Sequence, residues 1–181
     1  MYGPTGIGVL YGRRDILSRM QPYQTGGEMI QSVTIERTTF NELPYRFEAG
    51  TPDYIGAIAL AEAIHYISRL GMTDIEHHEQ QLMDYALRRL TEIDGLHVVG
   101  RASHRSAVIS FNVAGIHPYD LGELLDKLGI AIRTGHHCAQ PLIDRFNLPG
   151  TARISFGIYN TMSEIDVLTD ALKRVVPMLR R

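Results

Sequence analysis

From residue 55 onward, stretches with the apolar spacing of helices alternate with short strand-like stretches, and this alternation limits the choice of fold. Four stretches carry apolar residues three and four positions apart, as an amphipathic helix requires. They begin at Ile55, Thr73, Pro118 and Ser163. The sequence Thr73-Asp74-Ile75-Glu76 predicts a capping box for the second helix, and Ser163 with Asp166 predicts one for the last.

Strand patterns fill the gaps between these helices. They cover residues 97–100, 106–113, 129–134 and 151–159. In the last of them Arg153 alternates with Ile154, so one face of the strand is polar and the other apolar. Helices that alternate with strands are typical of a layered α/β domain, and about 110 residues is an ordinary size for one.

Residues 1–56 differ from the rest of the chain because they are rich in turn sequences such as Gln24-Thr25-Gly26-Gly27. The little regular structure predicted there is a strand at Ile7–Tyr11, a helical piece at Arg13–Met20 and a strand at Ser32–Glu36. A stretch with so many loops rarely forms a core by itself, and we expect it to belong to the surface of a larger body.

The composition argues against several classes of protein. The net charge of -2 gives no basic footprint for nucleic acid, and no apolar run reaches the roughly 18 residues of a membrane span. A single cysteine fits a reducing compartment, so we expect a cytoplasmic protein. Only Lys127 and Lys173 are lysines among the 18 basic residues. Chemistry that needs a lysine amine at any other position must therefore obtain it from outside this sequence.

The single cysteine lies in the sequence Arg133-Thr134-Gly135-His136-His137-Cys138-Ala139, after an apolar run that predicts a strand. Two imidazoles and a guanidinium flank the thiol, and neighbouring cations favour the nucleophilic thiolate. One interpretation is a reactive cysteine, and the other is a small buried hydrophobe. We expect no metal site, because His137 and Cys138 are adjacent and no second ligand cluster lies nearby.

Four motifs occur in the order in which one enzyme family has them. They are Tyr2 to Gly8, Arg46 to Pro52, Arg133 to Ala139 and Arg153 to Tyr159. With them the chain resembles, over its whole length, the SUF-type cysteine desulfurases, which are similar to selenocysteine lyases. These are fold-type I, class V aminotransferase enzymes that use pyridoxal 5'-phosphate. The resemblance implies an α/β fold, namely the small C-terminal α/β domain of such an enzyme plus the tail of its large domain.

The resemblance also implies how the chain is divided. We expect residues 1–56 to be the loop-rich tail of the cofactor-binding large domain, residues 57–70 a connector helix, and residues 71–181 the small domain. In the family, the lysine that binds the cofactor comes shortly before the Tyr-Gly-Pro-Thr-Gly motif, and Met1 takes the position just after that lysine. By itself the chain is therefore expected to be inactive and to bind no cofactor covalently.

Candidate site residues follow from the motif positions. Cys138 resembles the catalytic nucleophile, which takes sulfur from cofactor-bound cysteine and leaves alanine and a persulfide. Arg153 resembles the arginine that binds the substrate carboxylate, and Arg133 resembles a second arginine near the substrate. His136 and His137 are candidates for tuning the thiol or for protonating a leaving group.

The resemblance further implies contacts to a cofactor and to partners. Thr51 resembles the residue that reaches the cofactor phosphate of the other subunit in a homodimer, and Gly26 with Gly27 matches a second glycine loop that crosses the dimer. The implied substrate is L-cysteine, and the implied partner is a sulfur-acceptor protein of iron–sulfur cluster assembly. A selenocysteine lyase is the nearest alternative. An inactive domain that folds or docks a sulfur acceptor is an alternative of another class.

Overall fold

A computed structural model describes residues 2–100, 102 and 105–180 of the chain. The chain forms two units, residues 1–70 and residues 71–181. Within the described part of the chain, no helix is both long and apolar enough to cross a membrane.

The first unit has little regular structure before its final helix. A short helix, α1 (Arg14–Leu17), precedes a two-stranded antiparallel sheet of β1 (Ile30–Val33) and β2 (Thr38–Phe40). A single turn of 3-10 helix (Tyr45–Phe47) follows, and the unit ends with the long helix α2 (Tyr54–Leu70). The helix predicted from Ile55 is therefore confirmed.

The strands of the first unit differ from the sequence prediction. Residues 7–11 form no strand, because no other strand of the described chain pairs with them. The strand predicted at Ser32–Glu36 is β1 (Ile30–Val33), which begins two residues earlier and ends three residues earlier, because the chain turns back at Thr34. There the Thr34 amide donates to the Arg37 carbonyl at 2.8 Å, and the Arg37 amide donates to the Thr34 hydroxyl at 3.0 Å. This turn joins β1 to β2.

The second unit is a mixed α/β layer structure. Its elements are α3 (Met72–Leu90), β3 (Leu96–Val99), β4 (Val108–Val113), α4 (Pro118–Asp126), β5 (Arg133–Gly135), α5 (Gln140–Arg145), β6 (Thr151–Ser155) and α6 (Met162–Leu179). The four strands form one antiparallel sheet in the order β3-β4-β6-β5. The helices α3, α4 and α6 join one hydrophobic core with the apolar face of the sheet.

Strand β4 shows how the sequence separates the two faces of the sheet. Its buried residues Ile109, Phe111 and Val113 alternate with the half-buried Ser110 and Asn112. Since side chains on a strand alternate between faces, the apolar set packs into the helical core and the polar set lies on the opposite face. The polar face carries the candidate site.

Two helix starts differ from the predicted ones. Helix α3 begins directly after Gly71, whose φ of 87° lets a single residue separate it from α2, so the capping box predicted at Thr73 is wrong. Helix α6 is capped by Thr161 instead of Ser163: the hydroxyl of Thr161 accepts from the amide of Glu164 at 3.4 Å, and the Glu164 carboxylate accepts from the Thr161 amide at 2.8 Å. The sequence thus contains two overlapping capping-box patterns, and the one that begins at Thr161 forms.

Strand β5 and helix α5 also depart from the sequence prediction. The strand predicted at 129–134 forms only at Arg133–Gly135, where its residues pair with Arg153 to Thr151 of β6. Periodicity does not predict α5, which is too short to show a repeating apolar face. This short helix follows the cysteine loop directly.

Candidate active site

Cys138 lies in a loop, residues 136–139, between β5 and α5. Cys138 and His137 have φ angles of 59° and 56°, a left-handed conformation that non-glycine residues seldom adopt. The Ala139 amide donates to the His136 carbonyl at 3.0 Å and closes the turn. Cys138 is exposed, so its interpretation as a buried hydrophobe is wrong and the thiol is accessible to reagents.

Two glycines fix the strand end from which this loop departs. A Cβ at Gly150 would lie 3.1 Å from the Cα of Gly135, which is closer than normal packing allows. Gly135 has a φ of 110°, and a Cβ there would lie 2.9 Å from the Tyr119 hydroxyl. Glycine at both positions therefore lets β5 lie close to the chain before β6 on one side and to α4 on the other.

Arg133 and Arg153 lie directly opposite each other in the β5–β6 pair. The Nη2 of Arg133 donates to the Sγ of Cys138 at 3.7 Å. Like charges across a strand pair are destabilising, and no ion pair in the described part of the chain involves either guanidinium. The structure thus places the guanidinium of Arg133 beside the thiol of Cys138, and Arg153 opposite Arg133 on the neighbouring strand.

His137 and His136 are adjacent in sequence but differ in environment. The Nε2 of His137 lies 2.8 Å from the Oγ1 of Thr151 and 3.2 Å from its carbonyl oxygen, whereas His136 is exposed. Burial, followed by the charge of Arg153, lowers the pKa of His137 below its ordinary value. The His137 imidazole is therefore neutral at neutral pH and adds no further charge beside the arginines.

A cleft of about 400 Å³ lies between the polar face of the sheet and α5. Arg153, Ser110 and His137 contribute polar groups to it, and Leu142 and Phe146 contribute apolar surface. Ser110 is not among the residues predicted from the sequence, although its register partner on β6 is Arg153 and the alternation of β4 places both on one face. The apolar surface of Leu142 and Phe146 is not predicted either, because it lies on α5 and at its end.

In the first unit, the loop with Gly26 and Gly27 lies against the chain just before α2. The Gly50 amide donates to the Gly27 carbonyl at 2.9 Å, and a Cβ at Gly26 would lie 3.3 Å from the Gly50 nitrogen. Thr51 follows Gly50 directly, and Asp53 caps α2 by accepting from the Gly56 amide at 2.9 Å. The predicted phosphate-contacting residues thus lie in two neighbouring segments.

Sequence comparison identifies one family. The sequence model described as Aminotransferase class-V matches residues 1–168. The chain is 49% identical over 180 residues to the cysteine desulfurase of Klebsiella pneumoniae strain 342, covering 99% of this chain and 44% of that protein. It is 50% identical over 175 residues to a probable cysteine desulfurase of Staphylococcus epidermidis strain ATCC 12228, covering 96% of this chain and 42% of that protein. The chain spans less than half the length of these relatives.

Solved structures agree with this comparison. The crystal structure of the cysteine desulfurase CsdA of Escherichia coli matches with a TM-score of 0.92 at 38% identity, covering 98% of this chain and 44% of that one. The apo structure of the cysteine desulfurase from Thermococcus onnurineus NA1 matches with a TM-score of 0.91 at 39% identity, with the same coverage. The predicted α/β fold of a fold-type I enzyme is confirmed.

Proposed function

The chain belongs to the aminotransferase class-V family, and on that basis we propose that it is the C-terminal part of a pyridoxal-phosphate-dependent cysteine desulfurase. The observation that carries the proposal is an exposed thiol, Cys138, 3.7 Å from the Nη2 of Arg133, with Arg153 on the neighbouring strand. The proposed reaction converts L-cysteine and the Cys138 thiol into L-alanine and a Cys138 persulfide.

In the proposed step, the thiolate of Cys138 attacks the sulfur atom of L-cysteine. The new S–S bond forms as the bond between sulfur and the β-carbon breaks, and that carbon takes up a proton to give alanine. Pyridoxal phosphate, when bound, supplies the electron sink for breaking that bond. The Arg133 guanidinium donates a hydrogen bond to the sulfur of Cys138 and so orients it before the attack.

Arg153 is the proposed ligand of the substrate carboxylate. A guanidinium can donate two parallel hydrogen bonds to a carboxylate, which fixes both the position and the orientation of the substrate. Arg153 is half-buried on the polar face of the sheet, opposite Ser110 and beside the cleft under α5. Partial burial strengthens a charge pair because less water screens it.

The cofactor would be bound in the other subunit of a homodimer, with its phosphate near Thr51, Gly26 and Gly27. A Cβ at Gly26 would crowd the Gly50 nitrogen, so the backbone comes close there, and backbone amides together with the Thr51 hydroxyl are the groups we propose for the phosphate. Asp53 already caps α2. The phosphate would therefore be held by these loops and not by the N-terminus of that helix.

The two lysines of this chain are expected not to bind the cofactor covalently. Lys127 Nζ lies 2.9 Å from the Glu123 carboxylate, and Lys173 Nζ lies 2.7 Å from the Glu92 carboxylate. Lysines that bind pyridoxal phosphate are activated by a desolvated pocket or a cationic neighbour, whereas both of these lysines are exposed and each is paired with a carboxylate. After incubation with pyridoxal phosphate and borohydride, peptide mass spectrometry should find no lysine that is labelled selectively. Stoichiometric labelling of one of them would contradict this expectation.

The persulfide on Cys138 would be consumed by a sulfur-acceptor protein of iron–sulfur cluster assembly in the cytoplasm. The exposure of Cys138 supports this part of the proposal, because a terminal persulfide sulfur must be reached by a second thiol. A buried cysteine could form a persulfide but could not pass it to another protein.

The proposed function is tested with the full-length protein, in which this chain is joined to the cofactor-binding part that the family carries. Purified protein with pyridoxal phosphate is given L-cysteine or L-selenocysteine, and alanine is measured against time. A cysteine desulfurase should form alanine from L-cysteine, and the rate should depend on the presence of a thiol that accepts the sulfur. Alanine from L-selenocysteine alone would identify a selenocysteine lyase, and alanine from neither would refute the proposal.

A further inference from the structure

The backbone at His137 and Cys138 is held in a conformation that these residues do not favour. Both have positive φ angles, and a cysteine has no side-chain group that stabilises this region. Such residues stay left-handed only where the surrounding structure imposes it. The loop itself contributes one backbone hydrogen bond, from the Ala139 amide to the His136 carbonyl. A further contact is needed to hold the turn.

His137 supplies that contact. Its Nε2 is within hydrogen-bonding distance of both oxygens of Thr151, the first residue of β6. Thr151 is fully buried and is paired with Gly135 at the end of β5. The imidazole therefore joins the loop to a rigid part of the sheet, fourteen positions away in the sequence.

The hydrogen-bonding chemistry selects one form of this imidazole. A carbonyl oxygen only accepts, so the tautomer with its hydrogen on Nε2 fits the contact to the Thr151 backbone. The Nδ1 of His137 is buried and has no hydrogen-bond partner in the described part of the chain. The Nδ1 atom therefore faces away from solvent, and among the described residues no hydrogen bond joins the ring to the Cys138 sulfur.

We propose that His137 is a positioning residue: it ties the Cys138 loop to Thr151 and thereby holds the thiol within reach of the Arg133 guanidinium. The proposal deepens the proposed function, because it concerns how the sulfur-accepting thiol is presented. It departs from the sequence-based interpretation, in which both histidines were candidates for direct action on the thiol. His77 is an exposed histidine on α3, which packs against the opposite face of the sheet, so it provides a control of the same residue type outside the site.

The test compares His137→Asn, His137→Gln and His77→Asn. Asparagine tolerates positive φ but is too short to reach Thr151, whereas the amide nitrogen of glutamine can take the place of Nε2. The first readout is hydrogen exchange of the Ala139 amide, measured by NMR in the 181-residue chain. Exchange should become roughly threefold to tenfold faster in His137→Asn, return towards the parent rate in His137→Gln, and stay at the parent rate in His77→Asn.

The second readout is turnover of L-cysteine by the full-length protein. His137→Asn should lower kcat on the order of tenfold, because the nucleophile is misplaced. The KM should change less than twofold, because Arg153 still holds the carboxylate. His137→Gln should recover most of the lost kcat. A merely structural role of His137 would not lower kcat while KM stays almost unchanged, nor would glutamine then restore kcat.

The results that would overturn the proposal are specific. It fails if His137→Asn matches His77→Asn in both readouts, or if glutamine rescues neither. If His137→Asn does not fold, Thr151→Val replaces it: loss of the hydroxyl should change both readouts in the same direction but by less, and no change would overturn the proposal. If even the parent protein fails to turn over L-cysteine, the proposed function is wrong, while the Ala139 exchange still decides the role of His137.

Discussion

Replacement of Cys138 by alanine in the full-length protein is expected to abolish sulfur transfer from L-cysteine. Cys138 is the single cysteine of these 181 residues, so this part of the protein offers no second thiol as a sulfur acceptor. The variant should still bind the substrate, because the guanidinium of Arg153 is untouched. Persulfide formation, measured by transfer of sulfur to an added dithiol, should fall to the background of protein without substrate.

Two controls accompany the Cys138→Ala variant. The visible absorption of the bound cofactor should match that of the parent protein, which shows that the fold and the cofactor site are intact. L-Selenocysteine, whose carbon–selenium bond is weaker, is expected to give alanine in this variant more readily than L-cysteine does. Transfer of sulfur from L-cysteine at the parent rate would show that Cys138 is not the acceptor.

Replacement of Arg153 by alanine should damage the turnover of both substrates, because both carry the carboxylate that Arg153 is proposed to bind. Loss of one partner of a desolvated, hydrogen-bonded charge pair costs about 2 kcal/mol or more. This corresponds to a loss of roughly 30-fold or more in kcat/KM. The loss should appear for L-cysteine and for L-selenocysteine alike.

The matched control for Arg153→Ala is Arg174→Ala. Arg174 is also an arginine, but it is exposed on α6, which packs on the opposite face of the sheet from Arg153. Its loss should leave kcat/KM within twofold of the parent value, since surface substitutions away from a site have small effects. If Arg153→Ala spares either substrate, the carboxylate-binding role is wrong.

Local sequence patterns predicted those parts of the fold that depend on neighbouring residues. The period-two alternation of β4 and the helical stripe that begins at Pro118 are both present in the structure. The extent of β5 could not be predicted in the same way, because it depends on where the chain comes within pairing distance of β6. Helix α5 was missed for a different reason: its few residues show no repeating face.

The candidate site shows the same limit. Cys138, Arg133 and Arg153 were recognised through motifs, and the structure places them together. The bond from His137 to Thr151 had no sequence signal, because it depends on the register between two strands and on the left-handed turn of the loop. Ser110 had a weak signal in the alternation of β4, but only the sheet order makes it a neighbour of Arg153.

The most direct test of the account is to locate the sulfur that leaves L-cysteine. The full-length protein is incubated with L-cysteine and then alkylated, and the peptide that contains Cys138 is analysed by mass spectrometry. The account predicts one added sulfur atom on Cys138, formed in step with alanine, and no such addition when L-alanine replaces L-cysteine. Alanine formed with all of the sulfur released as free sulfide, while Cys138 never carries an added sulfur, would contradict it.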